Sequence, residues 1–253
     1  MDRFLPTHLG QLDSRVQRRD PRTKLILGLG FAIVVVSTPP TRLAAFVAYA
    51  GLLSWATAGA GVPVTSVLWR SAAVLPFSAL AASWLPFVHA APAVELWGGA
   101  VRLSVSGLWL FAGVVMKSLL GAGAAVLLTL TTPMPQLAAA LRKLGAPVIL
   151  VDTLTLTYRY LFVLVEEAGR LRRAAAARGY RPRWLGQALL IGRLVGQLFL
   201  RSYERAERVH GAMVQRGYRG SMPTARELAW GVPDVVALAV VLPALAAVRT
   251  WLR

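Results

Sequence analysis

The sequence predicts an all-α integral membrane protein with about five transmembrane helices and long cytoplasmic amphipathic helices. Apolar residues make up 56% of the 253-residue chain and charged residues only 15%, whereas an ordinary soluble domain carries about 25% charged residues. The net charge of +17 comes mainly from the first 24 residues and from residues 136–227. Long apolar runs separate these two basic regions, which is typical of the positive-inside pattern of membrane proteins and not of a nucleic-acid-binding surface.

The amino-terminal part predicts one or two apolar helices. Asp20 and Pro21 are typical of a helix start, with an aspartate cap and a proline at the first helical position. The apolar run at residues 25–37 is shorter than the about 20 residues that a spanning helix needs. Either residues 21–38 form one helix whose basic side chain reaches the interface, or residues 25–58 form a tight apolar hairpin, the alternative that we favour. The polar start lacks a signal-peptide pattern, so the first helix is expected in the mature protein.

Four further apolar segments complete the predicted membrane part: residues 43–58, 64–88, 107–131 and 230–248. Arg70, Pro76 and Pro86 interrupt the second of these. Its first part looks amphipathic, so only its later part is expected to span. Residues 89–106 are predicted to be a loop. Lys117 lies near the middle of the clearest span, and because charge at that depth is costly, its side chain is expected to face protein or water. Close helix packing is expected at Gly28, Gly30, Gly121 and Gly123.

The charge pattern divides the chain into three domains. These are an amino-terminal membrane domain of about four spans (residues 1–131), a cytoplasmic domain of amphipathic helices (132–229) and a carboxyl-terminal membrane helix (230–253). Residues 136–227 hold 16 Lys and Arg against six Asp and Glu. With a cytoplasmic amino terminus, four crossings bring both basic regions to the inner side of the cell (plasma) membrane. A fifth crossing puts Arg249 and Arg253 outside, against the charge bias.

The sharpest signal in the chain is an internal repeat. Seven residues recur at an offset of 38 positions in the pattern E-x3-R-x3-A-x3-R-G-Y-R. The first copy consists of Glu166, Arg170, Ala174, Arg178, Gly179, Tyr180 and Arg181, and the second of Glu204, Arg208, Ala212, Arg216, Gly217, Tyr218 and Arg219. Self-similarity at a fixed offset predicts two structural units of the same kind.

The spacing of the repeat predicts an amphipathic helix that ends in a positive charge. Residues four apart share one helix face, so Glu, Arg, Ala and Arg form a stripe in which the Glu–Arg pair is favourable. The last arginine stands where the helix dipole favours a cation, and the glycine suits the left-handed residue that closes a helix. The small Ala174 and Ala212 leave room for a closely packed surface, most simply the other helix or a partner. Arg-Gly is also ordinary capping, but seven identities at one offset favour a shared docking role.

These repeats resemble the two Ala-Arg-Gly coupling motifs of the transmembrane (T) component of energy-coupling-factor (ECF) transporters. Arg178-Gly179 and Arg216-Gly217 take the motif positions. Ala177 precedes the first pair as in the motif, whereas Gln215 precedes the second and departs from it. The match therefore covers the first copy fully and the second in part.

Other stretches extend the resemblance along the chain. Residues 20–25 (DPRTKL) resemble the amino-terminal signature of the family, and residues 131–133 (TTP) with 141–147 resemble the turn after its fourth span. Tyr158-Arg159-Tyr160 and residues 201–206 (RSYERA) resemble the cobalt-type branch, the CbiQ-like proteins. The resemblance therefore implies uptake of cobalt, with nickel left open.

The resemblance also implies partners and a mechanism. T components are helical membrane scaffolds whose coupling helices cross and insert their ends into grooves on two ATP-binding-cassette ATPases. They also hold a substrate-binding membrane subunit, which reorients when the ATPases close. In this chain, Arg178, Gly179, Arg216 and Gly217, with Ala174 and Ala212, would be the ATPase-docking residues. The chain itself would transmit force and would not be an enzyme.

The residues themselves give no sign of a catalytic, cofactor or metal site. Cysteine is absent, His8, His89 and His210 are far apart in sequence, and no G-x4-G-K-[ST] phosphate loop occurs, so ATP is expected to be handled by another chain. One alternative is the T component of a vitamin-type transporter. Another is a membrane enzyme for lipid-linked phosphates, which would use paired acids with a metal. The acidic residues of 136–227 instead look paired with arginine.

Overall fold

The computed structural model describes residues 19–88, 93–96, 101–179, 188–222 and 231–251. The chain forms two compact units, one from Met1–Ala140 with Leu228–Arg253 and the other from Leu141–Glu227. Five residues named above, His8, His89, Tyr180, Arg181 and Arg253, lie outside the described residues.

The described chain is helical apart from one short hairpin, so the predicted all-α class is confirmed. The elements in chain order are α1 (Pro21–Ser37), α2 (Leu43–Gly59), α3 (Val64–Ala72), α4 (Leu75–Ala82), α5 (Leu85–Val88), β1 (Ala93–Leu96), β2 (Val101–Ser104), α6 (Val105–Thr131), α7 (Met134–Lys143), α8 (Val148–Ala177), α9 (Ala188–Gln215) and α10 (Val232–Trp251). Helices α8 and α9 belong to the second unit, and α7 begins in the first unit and ends in the second.

Helix α1 begins where the sequence predicts. The Asp20 carboxylate accepts a hydrogen bond from the main-chain N–H of Arg22 at 2.9 Å, and Pro21 lies in the first turn. The helix is continuous over 17 residues, so the favoured hairpin beginning at residue 25 is wrong. The physical reason is that the polar first turn is buried together with partners. Lys24 Nζ donates to the carbonyl of Thr131 at 3.2 Å, so this cation can lie inside the helical segment.

Helix α6 is central to the first unit, where it contacts each of α1 to α5. A Cβ atom on Gly107, Gly113 or Gly123 would lie 2.5, 2.3 or 2.8 Å, respectively, from its nearest neighbouring atom outside α6. The close packing expected at Gly123 is therefore confirmed. The packing expected at Gly28 and Gly121 is wrong, because no atom of the described residues lies within 4 Å of a Cβ built there.

The hydrophobic core of the first unit is formed by α1, α2, α6 and α10. The rings of Phe31 and Tyr49 pack edge to face with their centroids 6.0 Å apart, a favourable aromatic arrangement. The Tyr49 hydroxyl lies 3.2 Å from that of Thr38, so its polar end has a partner inside the core. The buried cluster comprises Phe31, Val35, Ala45, Phe46, Tyr49, Leu120, Ala124 and Leu245.

The stretch after α2 is broken, as its prolines predict. Helix α3 and the pair α4–α5 meet at a bend of 45°. The prediction that residues 89–106 form a loop is wrong at β1 and β2. These two strands pair antiparallel, with Glu95 opposite Arg102. Each strand has only four residues, and an alternation that short does not separate a strand from a loop in sequence.

Two helices among the described residues, α6 and α8, are long and apolar enough to cross a membrane. The bent pair gives a third crossing if it counts as one span, and α2 is apolar but shorter over Ala44–Gly59. These helices fit an integral membrane protein. Helix α8 lies in the segment that the charge pattern assigns to the cytoplasm. The count of five spans and the three-domain division therefore stay predictions.

Two repeated helix ends form the candidate docking site

The two copies of the repeat occupy equivalent places, at the carboxyl-terminal halves of α8 and α9. Helix α8 ends at Ala177 and α9 at Gln215, so Arg178 and Arg216 directly follow the last helical residues. The next residues, Gly179 and Gly217, both have φ of +82°. The predicted helix ends are thus observed in both copies with the same backbone conformation.

Hydrogen bonds explain why glycine follows each arginine. The N–H of Gly179 donates to the carbonyl of Ala176 at 3.0 Å, and the N–H of Gly217 donates to that of Val214 at 2.9 Å. In the second copy the N–H of Tyr218 also reaches the carbonyl of Met213 at 3.0 Å, which completes a Schellman motif. A side chain at positive φ is strained. Glycine therefore fixes the direction in which the chain leaves each end.

The stripe predicted from the four-residue spacing is present on both helices. In α8 the Glu166 carboxylate pairs with Arg170 at 2.8 Å, and in α9 Glu204 pairs with Arg208 at 3.9 Å. All eight stripe residues are exposed: Glu166, Arg170, Ala174, Arg178, Glu204, Arg208, Ala212 and Arg216. Each helix of the second unit therefore presents an open face that ends in an arginine and a glycine.

The repeated alanines do not hold the two helices together. Ala174 and Ala212 are exposed, whereas the neighbouring Ala175 is buried. The other helix of the pair was one of the two surfaces predicted to pack on the repeated alanines, and in this fold the alanines do not face it. A surface on a partner stays the prediction.

The contact between α8 and α9 includes a carboxylate shared by two arginines. Glu167 accepts from Arg170 Nε at 3.0 Å within its own helix and is also paired with Arg201 of α9. The Glu167 side chain is only 13% exposed, although Arg170 and Arg201 are each about half exposed. The expected pairing of acids with arginine is thus confirmed at this position. The spacing of the repeat could not reveal Arg201, because it lies on a different helix.

Lys117 lies in the first unit, half-buried on α6. Its Nζ donates to the carbonyl of Val36, in the last turn of α1, at 2.8 Å. In a regular helix the N–H four residues further on would bond to this carbonyl, but that residue is Pro40, which has no N–H. Gly113, one turn before Lys117, packs against Pro40. Helix α6 therefore accommodates the proline turn and also supplies a donor to the last turn of α1, whose carbonyls have no intrahelical partner.

A cluster of polar residues joins three helix ends of the first unit. Lys24 of α1 donates to the carbonyl of Thr131 at the end of α6. The family-like stretches at residues 20–25 and 131–133 therefore lie together. Asp234 of α10 accepts from the main-chain N–H of Asp20 and from that of Gly231, each at 3.3 Å. Asp234 is buried. Sequence reasoning missed it, because its partner Asp20 lies 214 positions away.

The sequence matches one known protein family over most of its length. Residues 13–225 match CbiQ, described as cobalt transport protein. The chain belongs to the CbiQ family of cobalt transport proteins. The match includes both repeated helix ends and the buried start of α1. The resemblance to T components that the repeats carried is therefore confirmed.

Individual relatives of the chain are named for two metals and for the ECF transporters. Cobalt transport protein CbiQ of Rhodobacter capsulatus is 29% identical over 233 residues, 91% of this chain and 91% of that protein. Energy-coupling factor transporter transmembrane protein EcfT of Listeria innocua is 33% identical over 140 residues, 50% of this chain and 52% of that protein. Nickel permease LarQ of Lactiplantibacillus plantarum is 37% identical over 110 residues, 40% of this chain and 37% of that protein.

Proposed function

We propose that this CbiQ-family chain is the coupling subunit of an ECF-type transporter for the uptake of cobalt or nickel. Two ATPase subunits hydrolyse ATP, a separate membrane subunit binds the metal, and this chain connects them without catalysing a reaction. Family membership and the kinship with EcfT support a membrane component of a metal transporter.

One observation carries the proposal: the chain presents the same exposed helix end twice. Arg178-Gly179 and Arg216-Gly217 have matching caps and matching stripes. Two equivalent ends suit two ATPase subunits, each of which would receive one end in a groove. An arginine that enters a groove gains most from acidic residues there, because its planar group binds carboxylates with two parallel hydrogen bonds.

The geometry of the second unit supports a force-transmitting role. Helix α8 spans 30 residues and α9 spans 28, lengths of about 45 and 42 Å at 1.5 Å per residue. Glu167 and Arg201 link the two helices at a point well before their ends. When the ATPases close on ATP, the bound ends would move together with the ATPases. The linked helices would carry that movement to the membrane subunit that holds the metal.

The topology follows the charge distribution. We place the amino terminus and residues 132–229 on the cytoplasmic side of the plasma (inner) membrane, where the ATPases have access to ATP. Basic residues dominate both regions, in agreement with the positive-inside rule. The apolar first half of α8 would then lie against the bilayer or against the metal-binding subunit.

The metal cargo follows from the relatives of the chain. Cobalt is favoured by the family as a whole and by the relative that covers 91% of the chain. Nickel is favoured by the LarQ relative, over 40% of the chain. A vitamin-type T component is a weaker alternative, because the EcfT relative matches half of the chain.

The test of this proposal is reconstitution of uptake. The chain is expressed together with the ATPase and metal-binding subunits of its own organism, and accumulation of radioactive cobalt and nickel is measured in whole cells. ATP-dependent uptake of one metal should appear only when all components are present. Equal uptake without the chain, or no association with any ATPase, would overturn the proposal. Uptake of a vitamin instead of either metal would replace the cargo and keep the coupling role.

A further inference from the structure

We propose that Arg142 and Asp152 form a main-chain clamp that positions the second docking end. This inference rests on the proposed function, because it assigns a positioning role within the coupling unit. The clamp closes on Met222, five residues after Gly217. All three residues belong to the second unit, at Leu141–Glu227.

The clamp holds both polar groups of one residue. The main-chain N–H of Met222 donates to Asp152 Oδ2 at 2.9 Å, and Arg142 Nη1 donates to the carbonyl of Met222 at 2.7 Å. Arg142 Nη1 also lies 3.6 Å from Asp152 Oδ1. The Asp152 carboxylate accepts from the N–H of Met222, and the Arg142 guanidinium donates to its carbonyl. The two charges therefore complement the two polar groups of this residue as well as each other.

Local structure brings the two charged side chains together. Arg142 lies in the last turn of α7, and Asp152 in the second turn of α8. Gly145, with φ of +94°, reverses the chain between these helices, and the N–H of Ala146 donates back to the carbonyl of Leu141 at 3.0 Å. A short fixed turn therefore sets the separation of acid and base.

The burial of the clamp makes it costly to open. Asp152 is 5% exposed, and a buried carboxylate needs charged or hydrogen-bonding partners to be tolerated. Arg142 and the Met222 N–H are those partners. Loss of either side chain of the pair would leave the other charge poorly compensated.

The clamp restricts where the second end can go. Five residues span at most about 17 Å when fully extended, so Gly217 stays within that reach of the turn between α7 and α8. The Glu167–Arg201 link also restrains α9, the helix that ends just before Gly217. A displacement of the second end by a partner would therefore pull directly on the α7–α8 turn. Arg142 and Asp152 act through Met222 and are positioning residues, since they do not lie on the exposed docking stripes.

A cysteine probe can read the clamp directly. The clamp uses only the main chain of Met222, so Met222→Cys preserves it, and the chain contains no other cysteine. The rate of maleimide labelling at this position is measured on this chain within the assembled transporter in membranes. Opening the clamp exposes the segment, so the labelling rate reports the fraction of open molecules.

Two variants remove the clamp in different ways. Asp152→Ala deletes the acceptor, and Arg142→Met with Asp152→Leu removes both charges while keeping apolar volume, so the fold is preserved without an unpaired charge. Labelling should accelerate about tenfold or more in both, since one hydrogen bond to a charged group changes an equilibrium constant by about that factor. Glu207→Gln, which removes an exposed charge on α9, is the control and should not change the rate. An unchanged rate in both clamp variants would overturn the proposal.

A charge swap separates a main-chain clamp from a simple ion pair. Arg142→Asp with Asp152→Arg restores the pair but turns a donor toward the N–H of Met222 and an acceptor toward its carbonyl. Labelling should stay fast in the swapped protein, and slow labelling would contradict the clamp.

Uptake and ATP hydrolysis are measured on the same preparations. The clamp variants should retain their ATPases and lose at least half of the metal uptake per ATP hydrolysed. Fast labelling with unchanged uptake would overturn the positioning role. The labelling rate reports the clamp and the uptake per ATP hydrolysed reports the coupling, so failure of the clamp is distinguishable from failure of the proposed coupling function.

Discussion

At the scale of single residues, Lys117 illustrates what a sequence can and cannot predict. Its place within an apolar span predicted a protein-facing side chain, because charge in a bilayer needs a partner. Its actual acceptor, the carbonyl of Val36, could not be predicted, since this contact joins residues 81 positions apart. The need for a donor is nevertheless local, because Val36 lies in the last turn of α1, whose carbonyls have no partner further along the helix, and Pro40 has no N–H.

Lys117→Leu should destabilise the first unit while leaving membrane insertion intact. The change removes the donor to the Val36 carbonyl and leaves an unsatisfied acceptor, at a cost of about 1–3 kcal/mol. Yield in the membrane fraction should be normal, whereas thermal stability of the purified protein and metal uptake should fall. Met116→Leu, at an exposed neighbouring position, is the control.

A second substitution tests the stated cause. Pro40→Ala supplies a main-chain N–H at the position where a helix would donate to Val36. Lys117→Leu should therefore cost less stability in the Pro40→Ala background than in the unmodified chain, a coupling that a double-mutant cycle measures. Additive effects of the two changes would show that the lysine does not replace the missing N–H.

At the scale of elements, the repeat predicted more than the apolar pattern did. A glycine after a charged helix end predicted both caps, and the four-residue spacing predicted both Glu–Arg pairs, because these contacts are local in sequence. The Glu167–Arg201 link and the clamp at Met222 escaped prediction, since they depend on how helices pack. The two strands were not predicted because they are too short for a clear alternation. The packing predicted at Gly28 and Gly121 was wrong because a small residue alone does not show whether another helix lies beside it.

Large side chains on the repeated face should uncouple the transporter. Ala174→Trp and Ala212→Trp each place a bulky group one turn before the docking arginine, on an exposed face. The helix should fold normally, but a partner surface would be held away, and overpacking of this kind costs about 1–3 kcal/mol. ATP hydrolysis should persist while metal uptake falls several-fold.

Matched controls keep this test specific to the stripe. Ala176→Trp and Ala206→Trp add the same group at exposed positions of α8 and α9 that lie off the repeated face. These two variants should transport normally. If the stripe variants match them in both ATP hydrolysis and uptake, the repeated face is simply solvated and does not dock a partner.

At the scale of the whole molecule, composition and charge predicted the class but not the number of crossings. The class follows from bulk hydropathy, whereas each crossing depends on a helix length near the limit for a bilayer. Helix α1 has 17 residues, and α3 to α5 are broken by prolines. Helix α8 is long and apolar enough to cross a membrane, although it lies in an arginine-rich segment that the charge pattern assigns to the cytoplasm. Hydropathy alone therefore cannot count the spans.

Contacts in the first unit predict on which sides the termini lie. Asp234 joins the starts of α10 and α1, and at the opposite ends Arg42 Nη1 donates to the carbonyl of Arg249 at 3.1 Å. Helices α1 and α10 therefore run in the same direction. With a cytoplasmic amino terminus, Ser14→Cys should be protected from an impermeant maleimide in intact cells, whereas Thr41→Cys and Arg253→Cys should react. Reaction of Ser14→Cys and Thr41→Cys from the same side would contradict this topology.

The central claim is that two equivalent arginine ends dock two ATPase subunits, and charge reversal tests it most directly. Arg178→Glu and Arg216→Glu are each purified from membranes through a tag on this chain, and the co-purifying ATPase is quantified together with metal uptake. Arg172→Glu and Arg193→Glu, which reverse exposed charges that are not part of the repeated pattern, are the controls. Each end variant should lose ATPase and uptake at least tenfold relative to the controls, because a carboxylate would replace the cation in an acidic groove. Normal ATPase retention and normal uptake in both end variants would contradict the account.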